Sequence, residues 1–231
     1  RVAGGAGVVK VILTGSVDLE RGVAPPAHFH SEELRRMVET AHELGVAVAV
    51  HANGAQAVTM AAEAGVDSVE HGILIDEESV RAMVDHDVVW VPTLTPLHAL
   101  AVSGRWAAVP RIIAAHEAMV AAGHAAGVRI AAGTDAGSPG VAHGAVLSEV
   151  AHLRSAGLSP EAARAAVGAV AADLLGLGGG YGRLSRGAAT DLVWFKQDPF
   201  ADPSPDNARA PRPLGVLSSP RPTASVGARM R

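Results

Sequence analysis

Four residues able to bind a metal or move a proton lie within or at the ends of short apolar runs: Lys10, His51, His71 and Asp135. Two imidazoles and a carboxylate are a workable ligand set for a divalent transition metal such as zinc, and a chain with no cysteine has only nitrogen and oxygen donors to offer. Lys10 differs in kind. Buried in an apolar strand, its ammonium must be paired, lowered in pKa to a neutral amine, or converted to an anionic carbamate. It is not background either, because of 19 basic residues only Lys10 and Lys196 are lysine.

Each residue also has a plainer reading. A lysine at a strand end usually snorkels to water, a lone histidine is more often a hydrogen-bonded structural group, and an aspartate after Gly-Thr can cap a helix or make an Asx turn. Repetition favours the chemical reading, since His51 and His71 stand one strand–helix unit apart and each ends a predicted strand. His28-Phe29-His30 has chelating spacing but lies in a loop before a helix start, so it weighs less. His98, His116, His124 and His152 read as surface positions, while Asn53 and His143 are candidates for substrate contact.

The elements that must position these groups alternate. Val8 to Leu13, Val46 to Val50, 88–93 and Val128 to Ala132 are largely apolar runs too short for helices, and Val66 to Glu70 reads as a further short strand. Between and after them, helices are predicted at 31–44, 54–64, 77–86, 110–126, 144–156 and 159–175, with Ser31-Glu32-Glu33 and Ser159-Pro160-Glu161 as start signals. Strands apolar on both faces and alternating with helices define an α/β class with a parallel sheet, whose strand ends gather functional groups on one side. Residues 1–177 form this unit, 178–200 include a possible strand of a separate small sheet near Ala189 to Phe195, and 201–231, rich in Pro, Asp, Arg and Ser, read as a poorly ordered tail.

Composition narrows the partners. A net charge of −4 without a basic run argues against nucleic acid or an anionic membrane surface, and no apolar run reaches the roughly 20 residues of a membrane helix. A small-molecule substrate in the cytoplasm fits best, and self-association into a homo-oligomer stays open.

In order and spacing, Val8-Val9-Lys10-Val11-Ile12, Val50-His51-Ala52-Asn53-Gly54, Ser68-Val69-Glu70-His71-Gly72, Val91-Pro92-Thr93-Leu94, Gly133-Thr134-Asp135-Ala136-Gly137 and the segment Gly182 to Val193 resemble the amidohydrolase superfamily, within it the imidazolonepropionase-like and Xaa-Pro dipeptidase-like members. The resemblance implies a metal-dependent hydrolase of an amide-type bond on a (β/α)8 TIM barrel, represented here by about strands four to eight plus a piece of a small β domain. It implies that Lys10 is a carboxylated lysine on strand four bridging two metals, that His51 and His71 bind the second metal, and that Asp135 binds the first and acts as general base. The family's His-x-His pair at the end of strand one has no match, because His28 and His30 follow Lys10. A chain opening near strand four is therefore expected to be part of a longer barrel, and as it stands either an incomplete hydrolase or an inactive remnant or binding module. Five such strands cannot close, since a full barrel takes about 250 residues.

Overall fold

In the computed structural model, residues 2–201, 204 and 211–218 are described. Four strands, β1 (Val8–Ile12), β2 (Ala47–Ala52), β3 (Ser68–His71) and β4 (Val89–Val91), form a parallel sheet in the order β1-β2-β3-β4. The helices α1 (Ser31–Glu43), α2 (Ala55–Glu63) and α3 (Glu77–Asp85) connect them in turn. The predicted strand at 128–132 is reduced to a single parallel bridge between Trp90 and Ile130, held by Trp90 N–H to Arg129 O and Ala131 N–H to Trp90 O. Among the described residues no barrel closes.

The outer face of the sheet makes the core. Val48, Val50, Val69 and Trp90 meet Leu34, Val38, Val58 and Met83 from the three helices, and all are buried. The other face is uneven. At β4 it is covered by a short helix, α8 (Ala169–Leu174), whose Val170, Ala171 and Leu174 pack on Val89, Val91 and Ala131. At β1 it is open, with Val8 52% and Ile12 50% exposed.

Beyond β4 the chain forms α4 (Leu94–Val102), α5 (Val109–Ala126), α6 (Val146–Ser155) and α7 (Pro160–Val167) before α8. The helix predicted over 159–175 is two helices, broken at Gly168. The break is a close approach: a Cβ on Gly168 would stand 2.7 Å from the Gly182 carbonyl oxygen, so the chain turns there to admit the returning segment. That segment carries β5 (Leu192–Trp194), paired antiparallel with β6 (Gly215–Leu217) in a separate two-stranded sheet. β6 corrects the expectation of an unstructured tail at these three residues, because β5 supplies the ladder they need; residues 219–231 lie outside the described residues. No helix among the described residues is long and apolar enough to cross a membrane.

Candidate functional site

Register explains how separate strands supply one centre. Ile12, His51, Glu70 and Val91 are successive cross-strand partners and therefore share the face opposite α1 to α3, with Lys10, Ala49, Ser68 and Val89 one step earlier on that face. Strict alternation would send His71 the other way, since it pairs with Ala52, which is buried under the helices. Its backbone is left-handed instead, with φ 68°, and its ring meets His51 edge-on with centroids 4.4 Å apart. Thr93 (φ 50°) and Asp135 (φ 47°) adopt the same unusual backbone at the neighbouring chain ends. Such conformations cost on the order of 1–3 kcal/mol for residues with a Cβ, and three of them on one rim make it the candidate site.

Each imidazole is held from behind. His71 Nδ1 lies 2.7 Å from Thr93 Oγ1, and its carbonyl accepts from Trp90 Nε1 at 2.9 Å. His51 Nε2 lies 3.2 Å from both Gly15 O and Asn53 Nδ2, so its tautomer selects between donating to the carbonyl and accepting from the amide. Asp135 is exposed and its Oδ2 accepts from Ser138 Oγ at 2.7 Å.

The electrostatics tie the group together. Burial pushes His71 down to about 4, helped by the adjacent His51 and by Lys10, and opposed by Asp135. Burial also lowers His51, with Lys10 adding to the shift and Gly15, Asp135 and Glu70 resisting it. Both rings are therefore neutral at pH 7, the form that offers a lone pair to a metal. Lys10 is lowered by desolvation against the pull of Glu70 and Asp135, although its side chain is exposed on the open face. The expectation of a buried lysine is thus corrected: its apolar neighbours Val8 and Ile12 lie on a strand face left about half exposed by the described residues.

Lys10, His51, His71 and Asp135 share one electrostatic neighbourhood. Asn53 is buried, and its Oδ1 accepts from Ile73 N–H at 3.1 Å, so its amide is committed to the scaffold behind His51. His143 is exposed in the loop after Asp135. His28 Nδ1 lies 3.3 Å from Ile12 O, and His30 opens α1 with its backbone N–H on Glu33, so the pair is not a chelate. His116 and His152, expected at the surface, are 1% and 7% exposed because α4, α5 and α6 pack against one another there. Two residues were missed: Glu70, visible in hindsight two positions after Ser68 on the site face, and Thr93, whose role depends on an unusual φ with no local signal. The donor types suit a divalent metal, yet among the described residues no three His, Asp or Glu side chains are grouped closely enough to hold one.

The comparisons give this parallel α/β sheet, with its imidazoles and carboxylates near the strand ends, a family. The model of the amidohydrolase family matches residues 1–219, and the chain belongs to that family. An uncharacterised protein of Mycobacterium tuberculosis is 32% identical over 194 residues, covering 80% of this chain and 51% of that protein. Ochratoxinase of Aspergillus niger is 30% identical over 208 residues, covering 86% and 42%. Among solved structures, a Xaa-Pro dipeptidase with bound methionine in the active site superposes with a TM-score of 0.74 at 30% identity, over 87% of this chain and 51% of that one. The chain thus spans about half the length of the curated relatives it matches.

Proposed function

We propose that this chain carries the late-strand part of a metal-dependent hydrolase acting on an amide-type C–N bond in a small substrate: a dipeptide, an N-acyl amino acid or a cyclic amide. The observation that carries the reading is the convergence of two neutral imidazoles, His51 and His71, on a rim shared with Lys10 and Asp135. Similarity to a Xaa-Pro dipeptidase and to ochratoxinase supports the class of bond.

Lys10, His51, His71 and Asp135 would hold one or two divalent ions, zinc being the first candidate for a nitrogen and oxygen donor set. When bound, such an ion polarises a carbonyl and lowers the pKa of water to about 7. The chain's own residues supply the rest. Asp135, exposed at the rim, can take the proton of an attacking water and pass it to the leaving nitrogen. Lys10, with its amine biased toward the neutral form, can add carbon dioxide with loss of one proton to give an anionic carbamate. Thr93 and Asn53 fix the two rings.

The alternative is a truncated, inactive remnant or a binding module that keeps the fold without a working centre. Metal analysis of the purified chain, followed by assays on a panel of dipeptides, N-acyl amino acids and cyclic amides, separates the two. Bound zinc or manganese with hydrolysis that is lost in Lys10→Ala and Asp135→Asn establishes the enzyme. No metal uptake and no hydrolysis, or hydrolysis unchanged in both variants, removes it.

A further inference from the structure

Glu149, on α6, is a buried carboxylate with no part in the site described above. Its Oε1 accepts from the backbone N–H of Leu94 at 2.9 Å, and its Oε2 from the backbone N–H and hydroxyl of Thr95 at 2.8 and 2.6 Å. Those backbone donors belong to the first turn of α4, where a helix is usually capped by the side chain of its own N-cap residue. That residue is Thr93, and its side chain makes no capping bond. The left-handed backbone carries its hydroxyl to His71 Nδ1 instead. The two facts are complementary: a residue 55 positions along the chain caps α4, and the helix's own cap is spent on the site.

We propose that Glu149 is a positioning residue for His71, acting through α4 and Thr93. By satisfying the first turn of α4 from across the core, it leaves Thr93 Oγ1 to accept from His71 Nδ1–H. This fixes the ring and leaves Nε2 as the nitrogen available to a ligand. Without Glu149, two buried N–H groups lose their acceptor, and the nearest repair is a rotation of Thr93, backbone included, out of its left-handed conformation into the ordinary capping pose. That rotation withdraws the hydroxyl from His71. The inference rests on His71 being a site residue, but the test reads the imidazole itself and so stands apart from whether hydrolysis is found.

The test is 15N NMR of the full chain labelled at histidine, treated with chelator, at pH 7.5, with the His71 signals assigned by their loss in His71→Asn. In the unaltered chain the Nδ1–H tautomer should dominate. Thr93→Val and Glu149→Ala should each lower the ratio of Nδ1–H to Nε2–H forms several-fold, and Glu149→Gln, which retains one carbonyl oxygen, should fall between. A purely structural Glu149 would lower the melting temperature without moving that ratio. An unchanged ratio in folded Glu149→Ala, an unchanged ratio in Thr93→Val, or a dominant Nε2–H form in the unaltered chain overturns the proposal. Should Glu149→Ala not fold, Glu149→Gln decides: a lowered ratio supports the proposal and a wild-type ratio ends it.

Discussion

Asn53 sits two residues after His51, yet it contributes to the candidate centre only indirectly. Its backbone N–H donates to Thr14 Oγ1 at 3.1 Å, while its side chain takes the Ile73 N–H on Oδ1 and sets Nδ2 beside His51, so three segments meet on one residue, two of them through the side chain. Truncation leaves buried partners without a hydrogen bond, which typically costs about 1–3 kcal/mol each. Asn53→Ala should therefore lower the urea midpoint by an amount corresponding to about 2 kcal/mol. Asp135→Asn is the contrast. Its side chain is exposed and the replacement is nearly isosteric, so stability should stay within about 0.5 kcal/mol while any hydrolysis disappears. Measuring both variants for unfolding and for turnover separates scaffold from chemistry, and a large stability loss in Asp135→Asn would contradict the assignment.

At the scale of elements, the parallel strands were legible because each is a β-branched apolar run with a helix behind it, and β1 to β4 fall close to where Val8, Val46, Val66 and Val88 open those runs. What the sequence hid was non-local. α4 begins without a local cap because Glu149 supplies one from α6, and the helix expected over 159–175 breaks because Gly182 arrives at Gly168. His71 was legible as a strand-end histidine, but strict strand alternation gives the opposite direction for its side chain. Gly72 makes that turn possible: its φ is +64°, and a Cβ there would lie 2.6 Å from Trp90 Nε1, the atom that binds the His71 carbonyl. Gly72→Ala should cost about 1–3 kcal/mol through strain and overlap. The same change should shift Trp90 fluorescence as its indole N–H loses its partner, whereas an unaltered spectrum and midpoint would show the contact to be slack.

For the whole molecule, buried ionisable groups set the response to pH. His71 and His116 are pushed down to about 4 and His152 to about 3 by burial, from an ordinary 6.5. Below pH 6.5 the unfolded chain takes up protons that these three rings refuse in the native state, so stability falls as the pH drops from 6.5 toward 4. Glu149 acts in the opposite sense: burial raises it from 4.5 to about 7 against its three hydrogen bonds, and its contribution declines as pH rises through that interval. Three groups outweigh one. At roughly 1 kcal/mol per pH unit for each group, urea unfolding at pH 5 should give a clearly lower midpoint than at pH 7, and equal midpoints would refute the balance.

The open face of β1 is a second property of the whole. Val8 and Ile12 are each about half exposed, on a strand that among the described residues pairs with β2 alone. Unpaired edges of this kind promote association between chains. Light scattering over a concentration series should therefore record association that Val8→Lys diminishes, while an identical series for both proteins would mean that the face is inert.

The order of the sheet, β1-β2-β3-β4, bears on how the chain acquires its shape. Every strand finds its partner in the next strand–helix unit, so each closure spans the shortest loop that a parallel pairing allows. Pairing can therefore advance in the direction of synthesis, each finished strand acting as template for the one that follows. Within this four-stranded sheet each pairing is between neighbours in the chain, which keeps the contact order of the sheet low for a parallel arrangement.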